Sequence, residues 1–454
     1  MDRKMRMLAR AGLLVMAILL RASAQDRYLV RAPSSEIGKI AVRHNLSLIR
    51  SLEGLTGNLH LVAGPAGADV QRTIQGLGAD ASVQGVEADV GVSLPETSAG
   101  APLRQMGLPD PAPISNHTLV KYYGTSAWDA YVNQPAANVI KMALSHAFAS
   151  GSGTVVAILD TGVDFTQPVL ANFLVPGWDF TRNIAKGSEM ADVDQSTDSI
   201  LDQSTDSILD HRAALVLNQS TTAILDQSTD SILDRNRSRL PSAFGHGTMV
   251  AGLIHLVAPA AKLMPVKVFT GAGTSTLANV VSGIYWAVDH GADVINMSFS
   301  STQSSTELRK AIDYANAKGV VCVASAGNDG KQNPSVFPAG YHSQIIAVAS
   351  TNNQNVRSTF SNYGNALIDV AAPGEGIVTL YPGNNYAEGW GTSFSAPLVA
   401  GGVALLVQLG RNNINVGQAD QAISQAIPTG QGLGAGELDL FQACLYQLFH
   451  GGWR

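Results

Sequence analysis

Cysteine is nearly absent from this chain: its 454 residues carry two, Cys322 and Cys444. Two thiols cannot make the multi-bridge framework of a small stapled fold. Cys322 sits in an apolar run, where a buried small side chain is the simplest reading. A single bridge between the two stays open. Charge is sparse as well. Asp, Glu, Lys and Arg together make 14% of the chain, the formal net charge is -6, and the body of the chain has no Lys/Arg block. That balance argues against nucleic acid as a partner. Long apolar runs are missing too: the most apolar stretch, Ala400 to Leu409, is too short and too rich in glycine to span a bilayer. What is present is a 45% hydrophobic composition with 45 glycines, which describes a packed globular protein with many tight turns, long enough for more than one domain.

The first residues read as an export signal. Arg3, Lys4, Arg6 and Arg10 form a basic stretch, Gly12 to Leu20 an apolar core, and Ala22-Ser23-Ala24 a small-residue cleavage site. Residues 1–24 are therefore expected to be removed. The protein is then secreted, extracellular or periplasmic, with no membrane attachment after cleavage. An uncleaved membrane anchor is the alternative.

Residues 25–92 form a small unit. Arg27 to Ala32 reads as a strand, Glu36 to His44 as a helix, Leu46 to Arg50 and Leu59 to Val62 as strands, Ala68 to Leu77 as a helix and Val83 to Val90 as a strand. The order βαββαβ predicts a compact α+β fold. Residues 93–133 are expected to be a linker and N-terminal extension, rich in Pro, Ser, Ala and Gly up to residue 116 and a natural place for nicking. A larger domain follows over 134–445. Pro135 to Ala149 carries helix-spaced apolar residues. Val155 to Leu159 is a continuous apolar run of the kind buried on both faces of a parallel sheet. Strands over Leu263–Phe269, Asp293–Met297, Val320–Ala324, Ile345–Ala349 and Leu367–Val370 follow. They alternate with helices over Ser275–His290, with Ser275 as cap, and Ser304–Lys318, with the capping-box spacing Ser304 to Glu307. The rhythm predicts an α/β fold with a doubly wound parallel sheet.

One insertion, 194–234, breaks that rhythm. Asp194 to Leu201 is repeated as Asp202 to Leu209 and recurs in degenerate form to Leu233. An octad drifts off any one helix face but returns to the same face in extended structure, so short strands or turns are favoured. Its aspartates offer the hard oxygen ligands that structural Ca²⁺ takes, but the spacing matches no EF-hand loop. A solvated polar insertion packed through its Ile-Leu pairs is the competing reading, and no metal site is assigned.

Four stretches carry chemistry. Gly391-Thr392-Ser393-Phe394-Ser395-Ala396-Pro397 precedes a buried helical run. A serine there can face a cleft beside unpaired N–H groups and the positive end of the dipole. A plain helix cap is the commoner use of such residues. Asp160 stands just past an apolar strand in Leu159-Asp160-Thr161-Gly162, where sites gather in open α/β sheets, or else is a turn former. His246 opens an apolar helix in Gly245-His246-Gly247-Thr248. The dipole there keeps the ring neutral, although a satisfied core histidine fits as well. Asn328, in Ser325-Ala326-Gly327-Asn328-Asp329-Gly330, ends another strand with an amide donor or with an Asx turn. Together, Asp, His and Ser make the machinery of acyl transfer and Asn an oxyanion donor.

The order Asp160, His246, Asn328, Ser393 and the motifs around them resemble the subtilisin-like serine proteases over about residues 134 to 445. The resemblance implies a serine endopeptidase acting on proteins or peptides, with Asp160, His246 and Ser393 as triad. Asn328 and the Ser393 N–H then form the oxyanion hole. Asn296 to Ser300 is the strand that pairs with extended substrate, and Ser298, Phe299, Ser300, Ser325 and Gly327 line the substrate site. It also implies that 25–92 is a propeptide, a chaperone and temporary inhibitor and hence a partner of the enzyme, so the protein is made as a zymogen. No cofactor follows from it. Three features depart from the family. Phe394-Ser395 stands where Met-Ala is usual, and Ser300-Ser301 stands where Gly-Gly is usual and narrows the pocket. The octads also stretch the Asp160-to-His246 spacing. A non-catalytic binding protein on the same scaffold is the rival, with the Asp-rich repeats as an adhesive surface.

Overall fold

The computed structural model describes residues 26–54, 57–94, 116–193, 215–217, 240–411 and 414–450. The signal-like segment, residues 95–115 of the linker and all of the octad array except 215–217 lie outside the described residues. Leu215–Leu217, within the array, is extended and pairs in parallel with residues 387–389.

The chain divides into two compact units, Met1–Val90 and Gly91–Arg454. In the first, strands Arg27–Arg31, Ser47–Ser51, Leu59–Ala63 and Gly85–Ala88 make one antiparallel sheet. Helices Ile37–Arg43 and Val70–Gly78 fall between them in the expected order. Alternation along the first strand puts Tyr28 and Val30 on one face, where they form a core with Ile37, Ile40, Val62 and Leu77. Asp69 caps the second helix by accepting from Arg72 N–H at 3.0 Å.

The second unit is built on an eight-stranded sheet. From one edge its strands are Ile184–Ala185, Trp178–Asp179, Lys262–Lys267, Val155–Asp160, Val294–Met297, Val321–Ser325, Ile346–Thr351 and Val370–Pro373. All neighbouring pairs are parallel except the first. This is the doubly wound α/β arrangement. Two helices, His246–Val257 and Thr392–Leu409, are buried along almost their whole length, and their residues share one core with the strands. The second is long and apolar enough to cross a membrane but is spent inside the fold.

Several local expectations need correction. Pro135 to Ala149 is not one helix: Lys141, at φ 56°, separates Pro135–Val139 from Met142–Ser145. Ser275 is not a cap, because Thr274–Thr276 is a strand and the Thr276 side chain caps Leu277–Asp289. Ser305 rather than Ser304 caps Thr306–Ala317. The strand expected at Leu367–Val370 begins at Val370. Leu119–Tyr122 and Thr125–Trp128, assigned above to linker, form a hairpin in the second unit, and Tyr122 Oη donates to Leu256 O. Cys322 and Cys444 are separate buried thiols, so they form no bridge.

Candidate active site

Strand Val155–Asp160 lies where the winding of the sheet reverses: the chain first lays Trp178–Asp179, Ile184–Ala185 and Lys262–Lys267 on one side of it, then crosses to Val294–Met297 and builds the other way. Loops at the carboxyl ends of two such strands part and leave a crevice. Asp160 ends the first strand and is fully buried. Its Oδ1 accepts from Thr161 N–H at 2.7 Å and meets His246 Nδ1 at 2.7 Å. With Nδ1–H given to the carboxylate, a neutral ring keeps the Nε2 lone pair.

Two glycines allow that contact. At Gly245, φ 91°, a Cβ would lie 2.1 Å from Tyr381 Cε2. At Gly247 it would lie 1.9 Å from Gly162 O. The His246 helix therefore seats its first turn directly on the Asp160 loop, and Gly247 N–H donates to Thr161 Oγ1 at 3.0 Å.

Ser393 lies in the first turn of Thr392–Leu409, after Gly391 at φ 148°. Its hydroxyl donates to Ser298 O at 3.3 Å, and Ser298 Oγ donates back to Ser393 O at 3.0 Å, so the serine is tied to the end of the neighbouring strand. The next residue, Phe394, sets its ring 5.8 Å from that of His246. Asn328 Oδ1 accepts from Thr392 N–H at 3.0 Å and from Thr392 Oγ1 at 2.9 Å. The backbone donor fixes which end of the amide is oxygen, and the NH₂ end lies on the other arm. Gly327 N–H donates to Thr392 Oγ1 at 3.1 Å. Ser325, at the end of its strand, is buried. Phe299 is turned inward against Phe269, ring centroids 5.3 Å apart, so that it offers backbone rather than side chain. The Ser300 hydroxyl lies 3.5 Å from where a Gly327 Cβ would stand. The expected residues from Asp160 to Ser393 thus gather at the loops and ends of adjoining elements.

A further strand, Gly91–Ser93, pairs antiparallel with Thr274–Thr276, and Ser93 bridges Ser300. Leu94 N–H donates to Gly273 O at 2.9 Å, and its side chain is fully buried. Sequence reasoning missed this pairing, and it missed Thr161, Thr248 and Glu189 around the Asp–His pair. No local pattern marks a strand whose partner is so distant in the chain. Among the described residues no group of three His, Cys, Asp or Glu side chains is arranged to hold a metal ion.

Fold and site define an α/β protein with an Asp–His pair at the switch point of its sheet and a serine at the mouth of a buried helix. The Subtilase family model matches residues 151–439; the chain belongs to that family and is a serine-type peptidase. Thermitase of Thermoactinomyces vulgaris is 36% identical over 309 residues, which are 66% of this chain and 91% of thermitase. A thermophilic serine proteinase of Bacillus sp. (strain AK1) is 33% identical over 306 residues, 65% of this chain and 62% of that protein. The crystal structure of fervidolysin from Fervidobacterium pennivorans, a keratinolytic enzyme related to subtilisin, aligns at a TM-score of 0.66 and 24% identity. It covers 94% of this chain and 62% of fervidolysin, a likeness of fold.

Proposed function

We propose that the chain is a secreted serine endopeptidase, made as a zymogen, that cleaves protein or peptide substrates through an acyl-enzyme on Ser393. The observation that carries this reading is the 2.7 Å contact between His246 Nδ1 and Asp160 Oδ1. Asp160 holds the tautomer in which Nε2 takes the Ser393 proton as Oγ bonds to the substrate carbonyl. The oxyanion receives hydrogen bonds from the Asn328 amide and the Ser393 N–H, each such donor being worth about 3–4 kcal/mol of barrier in related enzymes. His246 then gives its proton to the leaving amine nitrogen as the C–N bond breaks, and water repeats the sequence on the ester. Ser298 to Ser300 supplies the edge on which an extended substrate pairs, and the Ser300 side chain beside Gly327 favours small residues before the scissile bond.

Residues 25–92 act in this reading as propeptide and first partner of the catalytic domain, 134–445. The pairing of Gly91–Ser93 with Thr274–Thr276 and Ser300 supports it, because the chain just after the first unit then occupies the substrate's strand position. Ser393→Ala is expected to abolish peptidase activity and fluorophosphonate labelling while leaving the melting temperature unchanged. Labelling at the wild-type level would refute the assignment. The N-terminal mass of the secreted protein tests the zymogen: maturation gives a start between residues 93 and 134, permanent inhibition a start near 25.

A further inference from the structure

The Asp160 loop and the first turn of the His246 helix are joined by a side chain that no motif announces. Glu189 opens the 3-10 turn Glu189–Asp192 and is fully buried. Its Oε2 accepts from Gly245 N–H at 2.8 Å and from the Thr161 hydroxyl at 3.3 Å, and its Oε1 contacts Thr248 Oγ1. Thr161 Oγ1 in turn accepts from Gly247 N–H at 3.0 Å, and Thr248 Oγ1 from Asp164 N–H at 2.8 Å. One carboxyl group thereby engages the residue after Asp160, the residue before His246 and the residue two beyond it. Gly162 makes room for it: a Cβ there would lie 2.6 Å from Glu189 N. Filling the space alone would need only an apolar side chain, without the cost of desolvating a carboxyl group.

We propose that Glu189 is a positioning residue for the His246 imidazole, fixing the Asp160 strand end against the helix start and setting carboxylate charge behind the ring. The proposal rests on the roles given above to Asp160, His246 and Ser393. Burial pushes the Glu189 carboxyl up to about 8; Asp164 adds to the rise, while hydrogen bonds from Thr248 and Gly245 and the charge of Lys267 oppose it. Lys267 is itself buried and donates to Thr161 O at 2.6 Å, to Phe269 O at 2.7 Å and to Asp192. Arg182 pairs with Asp192 of the same turn and with Asp179, and Asp160 and His246 are joined to Glu189 through Thr161 and Gly245. Glu189 therefore gains its charge on the alkaline side of neutrality, where it favours the imidazolium that forms during the reaction.

The test uses Glu189→Ala and Glu189→Gln in the full chain, with kcat and KM measured on a peptide substrate from pH 6 to 9 beside wild type and Ser393→Ala. Glu189→Ala is expected to lower kcat about 100-fold, as a displacement on the order of 1 Å does, with KM within about twofold. Glu189→Gln keeps the length and an acceptor oxygen for Gly245 N–H and the Thr161 hydroxyl, and turns an amide donor toward Thr248 Oγ1. It is expected to recover most of kcat at neutral pH but to lose the rise in kcat/KM between pH 7 and 9. A wild-type kcat in Glu189→Ala, a loss confined to KM, or a Glu189→Gln profile that overlays wild type would overturn the proposal. If Glu189→Ala does not fold, the Glu189→Gln profile decides. An active Ser393→Ala enzyme sinks the underlying reading; an inactive one beside an unperturbed Glu189→Ala enzyme sinks this proposal alone.

Discussion

Gly247→Ala probes the seating of the His246 helix on the Asp160 loop. The added Cβ would stand 1.9 Å from Gly162 O. A carbon–oxygen contact settles near 3.3 Å, so helix and loop must separate by roughly 1.4 Å. The obstacle is backbone, not the end of a flexible side chain, so rotamer changes give no relief. Separation lengthens the 3.0 Å bond from Gly247 N–H to Thr161 Oγ1 and pulls on the 2.7 Å His246–Asp160 contact one residue away. Overpacking of this kind costs about 1–3 kcal/mol of stability. On the role proposed for His246 the catalytic cost is larger in proportion, because a misplacement of about 1 Å in a catalytic group lowers the rate about 100-fold. The expected result is therefore a folded protein with a modestly lower melting temperature and a kcat/KM down by about two orders of magnitude. Thermal denaturation followed by circular dichroism and peptide hydrolysis at neutral pH measure the two effects on one preparation. Wild-type kcat/KM in a folded Gly247→Ala protein would show that the first turn is not held where this reasoning requires.

Two further outcomes follow from the site and its surroundings. Asn328→Ala is expected to lower kcat about 100- to 1,000-fold with little change in KM, since in the proposed mechanism the donor acts on the oxyanion and not on bound substrate; steady-state kinetics check this, and a change mainly in KM would count against the assignment. Glu437 is fully buried, and burial pushes its carboxyl up to about 7 from an ordinary value of 4.5. Between those values the folded state keeps a proton that the unfolded chain has released, so stability falls as pH rises through this window and levels off above it. Glu437→Gln should flatten that slope and stabilise the protein at pH 8 relative to pH 5. Urea denaturation at both pH values measures it, and an unchanged slope would refute the shift.

The sheet was legible because its strands are apolar on both faces: Val155 to Leu159 and Val321 to Ala324 admit few other readings. Helix starts were less so. Ser304 and Ser305 are adjacent candidates, and the capping-box spacing selected the first where the backbone uses the second. Lys141 gave no warning that it adopts a positive φ, as glycine would have done. Thr274–Thr276 is a strand only because Gly91–Ser93 lies beside it, and nothing local encodes a partner so far away. The candidate site divides in the same way. Asp160, His246, Asn328 and Ser393 could be singled out because each stands at or just past an element's end or start and within two residues of a glycine. Glu189 could not, because its importance lies wholly in contacts made across the fold.

Phe394-Ser395 shows how the residues beside Ser393 are accommodated by their surroundings. A phenylalanine beside Ser393 must place a flat ring in a filled core, since Phe394 is fully buried. Gly389 leaves the space: a Cβ there would lie 2.7 Å from Phe394 Cε2 and Cζ, so no larger residue is compatible with that ring. The ring then lies 5.8 Å from the imidazole of His246 and forms part of its wall. Ser395 brings a buried hydroxyl where alanine would bring none, and that hydroxyl donates to Pro373 O at 3.2 Å, so its burial is compensated. Pro373 can offer its carbonyl there because Gly374 follows it, where a Cβ would stand 2.3 Å from Ser395 Oγ. Residues 374, 389, 394 and 395 therefore constrain one another. The two side chains beside Ser393 are a matched set with their neighbours, which is why they leave the serine at the mouth of the helix.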